Sequence, residues 1–472
     1  MWFRRDLRLA DNTALHAAAK RADDGMVGVY VLSPGDWKRH DDSPAKIEFW
    51  LRNLAELSKG LGRLNIPLVI ARADRPGGVS TTVFEVAKRT SCSAVFFNRE
   101  YEVDESRRDE ATRRRCESQG LEAHGFDDRV ALAPGEVRTG AGSFFTVFTP
   151  FKRAWLKTIN GRGFEVLAPP KKQRPIDVSA TQIPKRIKGF AGQIDAALWP
   201  AGERAAGRVL DRFVKNTIGD YASARDRADL EGTSRLSPYL AARVLSPRQC
   251  LAAARDANGG CFAERKRGSR GAAMWISELI WREFYQHVLV GFPRVSMNRA
   301  FKPQSDRIRW ASNDEHLAAW QEGRTGVPIV DAAMRCLAAT GWMHNRLRMI
   351  VAMYLTKDLF LDWRLGERHF MRHLVDGDVG SNNGGWQWSA STGTDAAPYF
   401  RIFNPISQST KCDPEGDFIR RWVPELKELD GDDIHDPSVL DSVVRSRIDY
   451  PDPIVDHKRA RDRAIAAFKR LR

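Results

Sequence analysis

The sequence lacks the features that build metal centres, disulfide frameworks and membrane spans. Its six cysteines (Cys92, Cys116, Cys250, Cys261, Cys336 and Cys412) are scattered over 472 residues with no CxxC spacing. That excludes a zinc ribbon and a disulfide scaffold, and it fits a reducing cytoplasm. No apolar run approaches the roughly 18 residues that a spanning helix needs. The opening segment MWFRRDLRLADN is charged and has no apolar core of a secretory signal. No GxGxxG opens a helix, so a dinucleotide role for the first domain has little support. Acidic side chains are also in deficit: 60 stand against 75 basic ones, a net charge of +15. Such an excess favours a polyanionic partner, most often nucleic acid.

What is present divides the chain in two. The runs GMVGVYVL (25–32), IPLVIAR (66–72) and AVFFN (94–98) are short, β-branched and apolar. Amphipathic segments lie between them. One is SPAKIEFWLRNLAELSKGLGRL (43–64), where Ser43 predicts an N-cap and Pro44 the first helical position. Strands separated by helices imply a doubly wound, parallel, Rossmann-like sheet. From about 127 to 200 the periodicity fades into Pro- and Lys-rich sequence, and beyond 200 nearly every periodic segment is helical. The expected domains are α/β over 1–128, an interdomain connection over 129–200, and an all-α domain over 201–472.

Four segments could carry chemistry. EGTSRLSPYL (231–240) sets Thr233, Ser234 and Ser237 before a helix, with Ser237 as N-cap, Pro238 as first helical residue and Arg235 nearby. This can hold a phosphate, although ordinary capping explains it at least as well. In WISELIWREFYQH (275–287), Ile276, Ile280 and Phe284 fall on one helix face, and Glu278, Trp281, Arg282 and Tyr285 on another. The second face is either a salt-bridged surface or a flat aromatic floor with polar edges, which suits an unstacked nucleobase. GWMHNRLRMIVAMYL (341–355) reads as a helix with Asn345 and Met349 as i, i+4 neighbours, flanked by Arg346 and Arg348. Asp376 of the DGD triplet is a candidate partner for Arg348. Finally, GDVGSNNGGWQWSASTGTD (377–395) sets two tryptophans among glycines and neutral polar residues. It contains no nucleophile and no metal ligand.

These residues together resemble the photolyase/cryptochrome family, closest to the bacterial class I cyclobutane pyrimidine dimer photolyases. The resemblance rests on WFRRDLRLADN, EGTSRLS, ELIWREFY, GWMHNRLRM, DGDVGSNNGGWQWSASTGTDAAPYFRIFNP and YPDPIVDHK, which together span nearly the whole chain. It implies an FAD bent into a U inside the helical domain. Tyr221 and Thr233, Ser234, Arg235, Leu236 and Ser237 would contact the FAD phosphates and neighbouring atoms. Trp275, Asn345, Arg348, Asp376, Gly377 and Asp378 would surround the rest. Asn382 would lie beside the reactive ring nitrogen, where a neutral amide places no negative charge, and Gly384 and Gly385 would allow close approach. Light would drive an electron from the reduced flavin to the dimer. The family's electron chain would run from Trp386 through Trp363 to Trp310. Trp281 and Trp388 would pack against the flipped dimer, Glu278 and Asn345 would hydrogen-bond it, and Met349 would touch it. Tyr285 shares the face of Glu278 and Trp281. Arg225, Arg282, Arg346 and Arg401 would meet DNA phosphates.

The family's methenyltetrahydrofolate antenna uses a polar and acidic pair plus a lysine. Asp104 and Glu105 match the pair, but Met297 holds the lysine position, so folate is expected to be weak or absent. Competing readings are a cryptochrome-type receptor, a six-four photoproduct photolyase and a non-enzymatic DNA binder. Asn382, Glu278 and Trp388 disfavour the first, HNRLRM lacks the histidine pair of the second, and the third leaves the flavin motifs without a role. The expectation is a monomeric, cytoplasmic bacterial enzyme acting on damaged DNA. The first strand has only Met1, Trp2 and Phe3 before RRDLRL, against about 5–6 residues for a usual strand. A start a few residues upstream is therefore expected.

Overall fold

A computed structural model describes residues 1–75, 77–192, 194–264 and 268–470. The chain forms two compact units. The first comprises Met1–Gly219, Ser234–Pro293 and Val375–Asp378, and the second Asp220–Thr233, Arg294–Leu374 and Val379–Arg472.

The first unit carries the sheet. Strands β1 (Trp2–Phe3), β2 (Gly28–Leu32) and β3 (Leu68–Arg72) pair in parallel in that order, with Trp2 opposite Val29 and Gly28 opposite Leu68. β4 (Ala94–Asn98) and β5 (Glu122–Phe126) form a second parallel pair. Trp2 of β1 packs on Phe97 of β4, with ring centroids 5.6 Å apart. Helices Thr13–Arg21, Pro44–Arg63, Val79–Arg89 and Val103–Glu117 separate successive strands, as the alternation of patterns requires. The Pro44–Arg63 helix starts where its sequence predicts: the Ser43 side chain accepts from Lys46 N at 3.0 Å, and Pro44 takes the first turn.

β1 is short, and the chain terminus continues its ladder. The Met1 ammonium donates to Val27 O at 2.8 Å, and Met1 O accepts from Val29 N at 2.8 Å. The charged residues that follow are fixed by buried carboxylates. Arg4 pairs with Asp109 at 2.7 Å, Arg5 with Glu100 at 2.7 Å, and Arg8 with Asp128.

Two elements of this unit escape the sequence reading. β5 is EAHGF, too polar to read as a strand. The Phe148–Arg162 helix lies inside the stretch where periodicity fades. Its Phe151, Trp155 and Ile159 recur every four residues and are buried, but the surrounding Pro- and Lys-rich sequence masks them.

The second unit is helical. Its main core joins the Pro328–Thr340, Asn345–Met353, Trp363–His373 and Val379–Ser389 helices around Trp320, Leu347, Val351 and Trp363. Among the described residues its only extended pairing is the isolated bridge Ala311–Leu361. The Asn345–Met353 helix begins four residues later than the pattern from 341 predicts. Gly341, at φ 65°, ends the preceding helix, and the His344 side chain caps the new one, accepting from Arg346 N at 3.2 Å. The helix ends in a π turn, Tyr354–Asp358. No helix among the described residues is long and apolar enough to cross a membrane.

Candidate functional site

In the first unit the Arg270–Gly291 helix sorts its residues by face. Ile276, Ile280 and Phe284 are fully buried, while Glu278, Trp281, Arg282 and Tyr285 form a half-buried stripe. The i, i+3, i+4, i+7 spacing thus yields one polar, aromatic surface. Trp281 is not open on both sides. Phe148 stacks on it at 3.7 Å and 10°, which leaves one indole face for a ligand and braces the ring. Lys152, one turn beyond Phe148, donates to Ser277 Oγ at 3.1 Å. Burial lowers its pKa, against the opposing field of Glu278. Arg282 turns inward, donating to Arg129 O at 3.0 Å and Leu240 O at 3.3 Å. Neither Phe148 nor Lys152 was legible as a site residue, because both belong to the helix hidden at 148–162.

Elsewhere in this unit, Ser234, Arg235 and Ser237 are half-buried, and Arg235 adopts φ 51°. The short helix here is Ser237–Ala241, with Leu236 at the N-cap and no side-chain cap. The cap is thus one residue earlier than predicted, because Pro238 fits the second helical position as readily as the first. Leu236 has no side-chain oxygen to cap the first-turn N–H groups. Trp275 is buried, its ring 4.9 Å from Phe213. Asp376 and Asp378 are buried as well. Asp378 pairs with Arg129 and accepts from Gln286 Nε2 at 3.2 Å. Gln286 Oε1 is buried with no protein partner. A free acceptor beside the Asp378 carboxylate suits a ligand rich in N–H and O–H groups, and FAD, with its ribityl and ring donors, fits that set.

In the second unit, Asn345, Arg346, Arg348 and Met349 lie on the accessible side of their helix, while Leu347 and Ile350 are buried. Asn345 Nδ2 lies 3.9 Å from Met349 Sδ, so the predicted neighbours do meet. Arg348 Nε donates to Met343 O at 2.8 Å. Tyr221 is buried under Arg225, whose guanidinium lies 5.8 Å from the ring. Thr233 is half-buried.

A cavity of about 250 Å³ gathers Arg346 and Arg401 with Asp226, Phe403, Gln408, Lys411 and Cys412. Arg346 pairs with Asp226 at 2.6 Å. Three cations around one small cleft suit a phosphate. Lys411 is the member that sequence reasoning missed, since nothing local marks one surface lysine among many.

The stretch rich in glycine and asparagine folds as the Val379–Ser389 helix. Two of its polar residues are structural. Asn383 accepts from Gln387 at 2.7 Å, and Gln387 accepts from Phe301 N at 2.7 Å. Asn382 differs. Its Nδ2 donates to Glu367 O at 3.0 Å, which fixes the amide and leaves Oδ1 as a neutral acceptor.

Trp386 and Trp363 are buried, while Trp310 is half-buried against Phe360 at 5.1 Å. Trp386 meets Trp320 edge-on at 5.9 Å and Phe370 at 5.0 Å. Its seat depends on Gly366, where an added Cβ would lie 2.1 Å from the indole. Trp388 is half-buried against the main core.

Of the antenna pair, Asp104 lies 3.2 Å from His40 and 3.5 Å from Arg39, and Glu105 lies 3.4 Å from His40. Met297 is 53% exposed.

Comparison with known proteins places these features in one context. Residues 1–174 match the DNA photolyase family, and residues 275–470 match the FAD binding domain of DNA photolyase. The deoxyribodipyrimidine photo-lyase of Escherichia coli K12 is 45% identical over 475 residues, covering 100% of this chain and 98% of its own. A class III photolyase from Agrobacterium tumefaciens superposes with a TM-score of 0.87 at 34% identity, covering 100% of this chain and 96% of its own. A cryptochrome from Synechocystis gives 0.85 at 27% identity, with 99% and 98% covered.

Proposed function

The chain belongs to the DNA photolyase family, and from that premise we propose that it uses bound FAD and light to split cyclobutane pyrimidine dimers in DNA, as a deoxyribodipyrimidine photolyase. The observation that carries the reading is the Glu278–Trp281–Tyr285 stripe, a single aromatic floor with a carboxylate at its edge on a mostly buried helix.

Bound, reduced FAD would supply the light-driven one-electron chemistry that opens the cyclobutane ring. The residues do the rest. In the first unit Ser234, Arg235 and Ser237 would meet the cofactor's phosphates, and Tyr221 and Thr233 of the second unit are proposed as further contacts. In the first unit Trp275, Asp376, Gly377 and Asp378 would hold its other parts, and Arg348 of the second unit is proposed as a further contact. Asn382 offers a neutral acceptor to the reactive ring edge, so no fixed negative charge opposes an anionic reduced flavin.

On the DNA side, the braced Trp281 of the first unit offers its open face for stacking, and Met349 and Trp388 of the second unit are proposed as lesion contacts in their own right. Glu278 and Asn345 read its polar edge. A damaged pair stacks poorly, so extruding it costs less than extruding an intact one, and selectivity follows. Arg346, Arg401 and Lys411 neutralise phosphates and set register rather than sequence. Arg225 joins them at the rim, whereas Arg282 contributes through its carbonyl contacts to the shape of the stripe. Trp386, Trp363 and Trp310 would carry an electron inward to bound, oxidised cofactor. The half-exposed Trp310 is the member that an external reductant can reach. The protein acts as a monomer in the cytoplasm.

The test is direct. Reduced protein and blue light should restore thymine absorbance in ultraviolet-irradiated oligo(dT). Repair confined to six-four lesions, or binding without light-dependent recovery, would overturn the assignment.

A further inference from the structure

The turn Asp376–Asp378 is gripped from behind by two buried cations, both in the first unit with it. Lys46, on the Pro44–Arg63 helix, is fully buried. Its ammonium pairs with Asp42, donates to Gly377 O at 3.0 Å, and lies 5.4 Å from the Trp50 ring centroid. Arg129 has a side chain only 1% exposed. One guanidinium nitrogen binds Glu102 at 2.7 Å and another pairs with Asp378 Oδ2, while the Arg129 carbonyl accepts from Arg282. Gln286 takes the second oxygen, Asp378 Oδ1, at 3.2 Å.

Buried ions are an inefficient way to stabilise a fold, because packed apolar side chains of similar size serve as well or better. Buried ions do fix geometry. Asp378 is held at both oxygens, so its carboxylate plane cannot rotate and the directions left to a ligand are set. Lys46 fixes the Gly377 carbonyl, and with it the peptide plane that aims the Asp378 N–H. Neither cation is accessible enough to meet a ligand itself.

We propose that Lys46 and Arg129 are positioning residues of the flavin site, holding the Asp376–Asp378 turn in the form that binds FAD. This rests on the reading of Asp376 and Asp378 as flavin contacts.

The test is titration of FAD into apoprotein, followed by quenching of flavin fluorescence and by the visible circular dichroism of bound flavin, with the apoprotein melting temperature measured beside it. R129M should weaken FAD binding by roughly tenfold or more, the scale typical of outer partners that orient a ligand-contacting group. It should also alter the flavin dichroism, and R129K should recover part of both. In a D378N background R129M should cost nothing further, since the group it positions is already changed. Should R129M give no folded apoprotein, R129K and K46Q carry the same comparison. Native affinity and dichroism in R129M, or an undiminished loss in the D378N background, would show that Arg129 does not act through the turn. D378N itself binding FAD normally would remove the underlying assignment of Asp378 and the proposal with it, a result distinct from either of those.

Discussion

Gly366→Ala tests the seat of Trp386 by adding one methyl group. The new Cβ would lie 2.1 Å from Trp386 Cη2, 2.4 Å from Cζ3 and 2.7 Å from Leu355 Cδ2. Carbon atoms prefer about 3.5–4.0 Å, so the indole must retreat by more than about 1 Å. It has nowhere to go, since Trp320 and Phe370 close it edge-on at 5.9 and 5.0 Å. Overpacking of this kind costs about 1–3 kcal/mol, and a rigid ring in a closed seat puts the cost near the top of that range. Replacing a helical glycine returns about 0.5–1 kcal/mol. The net loss is therefore roughly 2 kcal/mol, visible as a lower melting temperature. The displaced indole should also slow photoreduction of oxidised FAD, because electron transfer falls steeply with separation. Gly207→Ala, in the Glu203–Asn216 helix, is the control. An added Cβ there meets nothing within 4 Å in the protein, so its stability should hold or rise. The reasoning is refuted if G366A melts with the wild type and photoreduces at the wild-type rate.

Trp386→Phe should abolish photoreduction yet leave repair by chemically pre-reduced enzyme nearly intact, measured by thymine absorbance recovery; loss of both would give Trp386 another role. Arg401→Ala should reduce the slope of log affinity against log salt for damaged DNA by about one unit, as for one phosphate contact; an unchanged slope would remove Arg401 from the phosphate list. Burial lifts the Glu283 carboxyl to about 7, outweighing hydrogen bonds from Ala131 N, Trp155 Nε1 and Leu132 N. A folded pKa above the unfolded one stabilises the fold fully below the unfolded carboxyl range, and that contribution is lost as pH rises to about 7. The loss is about 3 kcal/mol. Melting of Glu283→Gln should therefore vary less between pH 5 and pH 8 than melting of wild type, and equal pH dependence would contradict the burial argument.

The sequence by itself determined the elements whose signals are local. The AVFFN strand, the Ser43–Pro44 helix start and the buried face of Ile276, Ile280 and Phe284 follow from spacing and capping alone, because each depends on neighbours within a turn or two. The polar stripe of Glu278, Trp281, Arg282 and Tyr285 was legible for the same reason, and the long family motifs identified the family. Only the tertiary structure decided what depends on partners distant in the chain. Phe148 covers one face of Trp281 from a helix some 130 residues earlier. Lys411 joins Arg346 and Arg401 in one cleft. Gly366 is required by an indole twenty positions away, and Arg129 grips Asp378 across 249 residues. Spacing along a helix is set by 3.6 residues per turn and can be read directly. The identity of a side chain's neighbour across a core is set by packing, and a single sequence does not write it down.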